Sequence, residues 1–450
     1  MRSIAFVLTA LFAIVFSHAQ PVYAEQPNLI YIMCDDLGYG DLGCFGQQRI
    51  KTPHLDKLAD EGMRLTNYYA GNTVCRPSRL VLWTGLHAGH TAINSNAAYV
   101  LAPEDVTVAE RLKAVGYATG GVGKWALGKV GTSGHPNQQG FDFWMGYLDQ
   151  GEAHNYYPTH LWRNMEKVPL DGNVLIDDPK ARGRVARLDA RQTYSHDVMT
   201  NEAFGFVRAN ARNPFLLHIH WTIPHANNEG GRVQNKNGME VPDYGIYKDE
   251  KWPNVEKGQA AMITRMDGDV GRLVALLKEL GIENKTLIVF TSDNGPHSEG
   301  GHKHEYFDAN GPLRGYKRDL YEGGIRVPTI AWWPGVIRAG STCAEPLAFY
   351  DWVPTACELA GAPLPHKTDG VSFVPALTGQ GEQESHDYLY WKYGKKEAVR
   401  KGQWKGVRLA PNKPLELYDL DSDLGEANNI ASKHPDVVNQ LEAAIAEASR

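Results

Sequence analysis

The sequence predicts an α/β fold: a large mixed, mostly parallel sheet sandwiched by helices, with a smaller C-terminal α+β domain of short antiparallel strands and a terminal helix. Three observations carry this prediction. Several strand-length runs are apolar throughout rather than alternating, as strands buried on both faces of a parallel sheet must be. Amphipathic helical stretches fall between them, as crossover units require. Beyond about residue 379 the pattern changes to short strands and a last helix. A chain of 450 residues exceeds one ordinary core, which also favours one large domain plus a smaller one.

Taken in order, Asn28 to Cys34 is the first apolar run, and it ends in Asp35-Asp36. Thr107 to Val115 reads as a helix, with Thr107 and Glu110 spaced as a capping box and Gly116 as its stop. Tyr117 to Val122 begins a strand that delivers Gly123-Lys124-Trp125, and Pro214 to Trp221 is a strand delivering Pro224-His225. Met262, Met266, Val270, Leu273, Leu277 and Leu280 share one helix face, and Gly281 ends that helix. The strand Leu287 to Phe290 follows, running into Thr291-Ser292-Asp293-Asn294-Gly295. Segment 297–324 is rich in glycine and charge and reads as loop. Tyr388 to Trp391, Ala398-Val399 and Leu415 to Leu417 read as short antiparallel strands, and Val438, Leu441 and Ile445 lie at helical spacing after Pro435. Each buried strand ends in chemically capable residues, and in open α/β sheets ligands bind at those ends.

The N-terminus has Arg2, an apolar run from Ile4 to Phe16, and Val22-Tyr23-Ala24 before Glu25, which reads as a secretory signal peptide over 1–24. The apolar run is too short to span a bilayer comfortably, and no cysteine lies near the cleavage site, so no stable membrane anchor is expected. The mature protein is then exported, periplasmic or secreted, with a main domain over 25–378 and the C-terminal α+β unit over 379–450. A net charge of −6 excludes a general nucleic-acid binder, which needs a basic face. The five cysteines are Cys34, Cys44, Cys75, Cys343 and Cys357; Cys343 and Cys357 are open to pairing in an oxidising compartment.

Asp35-Asp36 and Asp293-Asn294 are oxygen-ligand pairs at the ends of two predicted buried strands. Crowded carboxylates need a neutralising cation, and carboxylates with an amide oxygen suit Ca²⁺ or Mg²⁺ rather than zinc. The run Cys75-Arg76-Pro77-Ser78-Arg79, followed by Thr84-Gly85, has the pattern Cys-x-Pro-Ser-Arg-(x4)-Thr-Gly. Leu80 to Trp83 continue it as a buried helix, Pro77 fits the first turn, and Cys75 then sits at a helix N-terminus that favours anions.

That pattern resembles the signature of the type I sulfatases, of the alkaline phosphatase superfamily. Asp35 to Asp41, Gly123-Lys124-Trp125, Pro224-His225 and Pro312-Leu313-Arg314-Gly315 with Lys317 and Tyr321 to Arg326 are similar to further motifs of that family. The resemblance runs from about Pro27 to the C-terminus. It implies that Cys75 is converted to formylglycine by a formylglycine-generating enzyme or equivalent maturase. It also implies that the hydrated aldehyde is the nucleophile, and that the ion is Ca²⁺, with Mg²⁺ the weaker alternative.

On this reading Asp35, Asp36, Cys75, Asp293 and Asn294 surround the metal. Lys124, Lys317 and Arg79 offset the charge of the sulfate, and His225 protonates the leaving oxygen. One departure stands out: the family often has His after Gly-Lys-Trp, and here that residue is Ala126, with His297, His302 and His304 as candidates to supply an imidazole. His154 to Tyr157 and Leu161 to Asn164 form an aromatic, hydrogen-bonding stretch suited to sugars. Substrate contacts are therefore expected from His154, Trp162, Arg163, His297 and His302. The implied activity is removal of sulfate from a sulfated carbohydrate or aryl sulfate. The alternatives are a phosphoester or phosphonate hydrolase of the same superfamily, and a non-catalytic binder of sulfated glycans.

Overall fold

The computed structural model describes residues 26–234, 236–364 and 367–449, so the expected leader over 1–24 lies outside the described residues. Ten strands form the main sheet, in the spatial order Ser341–Cys343, Met63–Leu65, Ile330–Trp332, Thr286–Ser292, Asn28–Cys34, Phe215–His220, Ala118–Lys124, Phe143–Tyr147, His160–Arg163 and Glu166–Pro169. The five strands from Thr286–Ser292 to Phe143–Tyr147 are mutually parallel. Their register sets Cys34 beside Ser292, Met33 beside His220 and Lys124 beside Tyr147. Antiparallel pairs flank this block, through Ile330–Trp332 on one side and His160–Arg163 on the other.

Side chains of the central strand alternate between two cores, as pleating requires. Leu29, Tyr31 and Met33 join a core with Trp83, Trp125, Trp144 and Trp352, under the helices Cys75–Thr84, Val108–Lys113 and Trp352–Ala360. Ile30, Ile32 and Cys34 join the opposite core, under Pro53–Glu61, Ser195–Asn210 and Asn254–Glu279. The last of these is the expected amphipathic helix, and it stops at Gly281, which takes φ 66. The Thr107–Glu110 capping box forms as read.

The second sheet is an antiparallel meander of Leu389–Tyr393, Lys396–Lys401, Trp404–Arg408 and Glu416–Asp419. Tyr390, Val399, Leu415 and Leu417 pack there against Leu441, Ala444 and Ile445 of the helix Pro435–Ala448. Trp391, Ala398, Val407 and Tyr418 face the main core instead. Lys405 ties this sheet to the short helix Glu322–Ile325, its Nζ 2.7 Å from Glu322 Oε1. All five cysteines are free thiols, so the pairing left open for Cys343 and Cys357 is not made. No helix among the described residues is long and apolar enough to cross a membrane.

Candidate active site

Because the central strands are parallel, the residues that follow them meet at one edge of the sheet. Asp35 and Asp36 leave the Asn28 strand, Asp293 and Asn294 leave its neighbour, and Lys124 ends the Ala118 strand. His225 follows the strand between them. Gly123 is needed for this convergence. It takes φ 102, and a Cβ there would lie 1.8 Å from the His220 carbonyl oxygen.

Cys75 enters as the first residue of its helix, and no side chain caps that N-terminus. Its thiol donates to Asp35 Oδ1 at 3.1 Å. Burial, then the charges of Asp293 and Asp35, push the Cys75 thiol well above its usual range. Lys124 Nζ donates to Asp35 Oδ2 at 2.6 Å. Burial works against ionisation of Asp35, but Lys124, His225 and Arg79 outweigh it and hold the carboxyl well below the ordinary range. Lys317 Nζ donates to Asp36 Oδ2 at 2.7 Å, and His225 Nε2 lies 3.5 Å from the same oxygen. Asp36 itself holds φ 69, a left-handed backbone that turns its carboxylate into the cluster.

Arg79 is fully buried behind the carboxylates. It donates to Asp293 Oδ2 at 2.8 Å and to the Lys124 carbonyl at 2.8 Å, and lies 3.2 Å from His220 Nδ1. Its place is therefore to fix Asp293 and the end of the Lys124 strand. Burial and the neighbouring Asp35 push Asp293 up to about 7, with Arg79 opposing.

The cluster could hold a metal ion. Asp35, Asp36, Cys75 and His225 offer ligand atoms within 4.8 Å of one another. Asn294 Nδ2 donates to Asp36 Oδ1 at 2.7 Å, while its Oδ1 is buried with no partner among the described residues. An orphaned amide oxygen beside three carboxylates is a costly arrangement that an oxygen-seeking ion would relieve.

The expected substrate residues part company. His154 stacks on His225 with ring centroids 4.5 Å apart, and Glu229 Oε2 receives its Nδ1 at 3.2 Å. His297 lies on the other side of His225 at 6.0 Å, with His302 5.2 Å beyond it. His302 Nδ1 is bound to Glu256 at 2.6 Å. His304 turns away to Ser298 and Tyr316. Trp162 faces a cavity beside the cluster, whereas Arg163, one residue on, points to Glu202 of the Ser195 helix and does not line it. Strand alternation sends neighbouring side chains to opposite faces, so the two cannot serve one pocket.

Glu299 was not among the sequence candidates, yet its Oε2 lies 3.6 Å from Lys317 Nζ and 3.8 Å from His225 Nε2, and it also pairs with Arg318. An acid in a glycine-rich loop carries no distinguishing pattern. His220 was missed because it reads as a core position of an apolar strand.

Comparison with known proteins identifies relatives over nearly the whole described chain. The family model described as Sulfatase matches residues 27–362, and that described as N-sulphoglucosamine sulphohydrolase, C-terminal, matches 303–450. Human arylsulfatase A is 33% identical over 475 residues, covering 93% of this chain and 87% of that protein. The N-acetylgalactosamine-6-O-sulfatase of Bacteroides thetaiotaomicron is 29% identical, covering 93% and 92%. The crystal structure of Ps i-CgsB in complex with k-i-k-neocarrahexaose superposes with a TM-score of 0.79 at 26% identity, covering 94% and 93%.

Proposed function

The chain belongs to the sulfatase family, enzymes that hydrolyse sulfate esters of carbohydrate or aryl substrates, and we propose that it is an exported hydrolase acting on a sulfated glycan through formylglycine at residue 75. One observation carries the reading: the Cys75 side chain reaches Asp35 at 3.1 Å within a buried cluster whose lysines, Lys124 and Lys317, are each salt-bridged to an aspartate.

The Cys75 thiol stands where the hydroxyls of the aldehyde hydrate would project. That hydrate supplies a nucleophilic oxygen and, because its carbon carries two oxygens, a route for releasing sulfate that a serine or cysteine ester lacks. Asp35, Asp36, Asp293 and Asn294 would hold the cation, Ca²⁺ before Mg²⁺, which when bound offsets their charge and polarises the sulfate. Asp35 orients residue 75 by accepting its hydrogen bond. Lys124 and Lys317 hold the sulfate oxygens, so that a nucleophile approaches an anion without net repulsion.

His225 is assigned as general acid toward the leaving oxygen. Its Nδ1 lies 2.7 Å from the Ala226 carbonyl, which fixes the ring and aims Nε2 at the cluster. Burial and Lys317 hold this imidazole well below its ordinary range, with Asp35 opposing. Arg79 is assigned as the buried clamp on Asp293.

In this account 1–24 is the cleaved leader, 25–378 the catalytic domain and 379–450 the C-terminal subdomain. A maturase is the obligatory partner, and the location is periplasmic or secreted. The test is turnover by modified protein on aryl sulfate, aryl phosphate and defined sulfated sugars. Sulfate release from a sugar is expected, and a strong preference for phosphorus esters would contradict the reading.

A further inference from the structure

A cavity of about 520 Å³ opens against Arg76 and Ala126. Arg76 directly follows Cys75, and Ala126 lies two residues past Lys124, so the cavity adjoins the cluster described above. Its size suits one or two sugar rings. Ala126 puts only a methyl group where an imidazole is common in the family, which leaves this wall open.

Three cations border the cavity. Arg76 spends its bonds on carbonyls: Nε donates to Ala126 at 2.9 Å, and Nη1 to Asn96 and Ala97, each at 2.7 Å. Lys129 and Lys167 are exposed lining residues. Neither they nor Arg76 pairs with a carboxylate among the described residues. Lys167 Nζ sits 5.3 Å from the centroid of the Trp162 ring, which presents an aromatic face to the same space. Asp149, also on the lining, is engaged by Arg184 at 3.7 Å. Glu152 supplies an acceptor for a hydroxyl. Asp149 acts on Arg76 and Glu152 on Lys167 from a distance, but no salt bridge occupies the three cations, and cations around one aromatic face suit a ring that carries an anion, as the acids suit its hydroxyls.

We propose that this cavity is a subsite for a second sugar bearing its own anionic group, a carboxylate or a further sulfate, next to the sugar whose sulfate is removed. The assignment rests on the sulfate-ester reading of the adjoining site. It makes the preferred substrate a multiply charged glycan rather than a singly sulfated, otherwise neutral one.

The experiment is calorimetric titration with three matched disaccharides lacking the scissile sulfate, their second ring carrying a carboxylate, a sulfate or neither. Binding is then read without turnover. The wild-type protein is expected to hold both anionic disaccharides at least tenfold tighter than the neutral one. The double variant Lys129→Gln, Lys167→Gln is expected to reduce that ratio to below threefold. A tenfold preference for one anionic arm alone also supports the subsite and identifies the group it takes. Equal binding of all three, or a preference that survives the double variant, would overturn it. Hydrolysis of aryl sulfate is measured alongside. Turnover without any anion preference overturns the subsite alone, whereas anion preference without sulfate release supports the subsite and counts against the sulfatase reading.

Discussion

Lys317 Nζ lies 2.7 Å from Asp36 Oδ2, joining a lysine of a late loop to a carboxylate 281 positions earlier in the chain. Both groups are buried, and burial of the lysine is offset by Asp36 and Glu299, which keep it charged. Lys317→Met therefore removes an anion-holding charge and the ion-pair partner of Asp36. The expected loss in kcat/KM on aryl sulfate is about 10²–10³-fold. Activity within twofold of wild type would remove Lys317 from the site.

Chelation tests the cation. EDTA is expected to abolish turnover and lower Tm, because a ligand that binds only the folded state stabilises it. Added Ca²⁺ restores both in the wild type and neither in Asp293→Ala. Unchanged rates after exhaustive chelation would exclude the ion from the reaction.

Acid should unfold the protein early. Burial lowers His218 to about 3, and burial with the neighbouring His90 lowers His87 to about 4. Above pH 6.5 neither folded nor unfolded chain binds these protons. As pH falls below 6.5 the unfolded chain takes protons that the fold refuses, so stability declines until the folded values are reached. Each such group contributes a slope of about 1.4 kcal/mol per pH unit. Denaturant midpoints measured from pH 7.5 to 5 should fall, and His218→Phe should flatten the decline by one proton. A flat profile would contradict this.

Lys405 binds the second sheet to the short helix Glu322–Ile325. Lys405→Met leaves Glu322 and Glu426 buried and facing each other, since Lys405 Nζ lies 2.7 Å from the first and 3.5 Å from the second. Breaking one partner of such a network costs about 3–5 kcal/mol. Chemical denaturation measures it, and a change below 1 kcal/mol would show the network to be dispensable.

The parallel centre of the fold was legible because buried strands such as Asn28–Cys34 and Thr286–Ser292 are apolar on both faces. The short pairs Met63–Leu65 and Ile330–Trp332 escaped reading because three residues carry no period. Trp404–Arg408 escaped because Lys405 faces inward to an ion pair, which breaks the apolar alternation. In the site, residues in recognisable runs, Cys75 to Arg79 and Asp293-Asn294, could be named from sequence. Glu299 could not, since only the fold brings it to Lys317. Arg163 looked equivalent to Trp162 until strand alternation separated them.

Residue 75 decides the account. Peptide mass spectrometry on catalytically active protein, made with its maturase, is expected to find the sulfur of Cys75 replaced by an aldehyde or its hydrate. Fully active protein whose residue 75 is intact cysteine would contradict the mechanism.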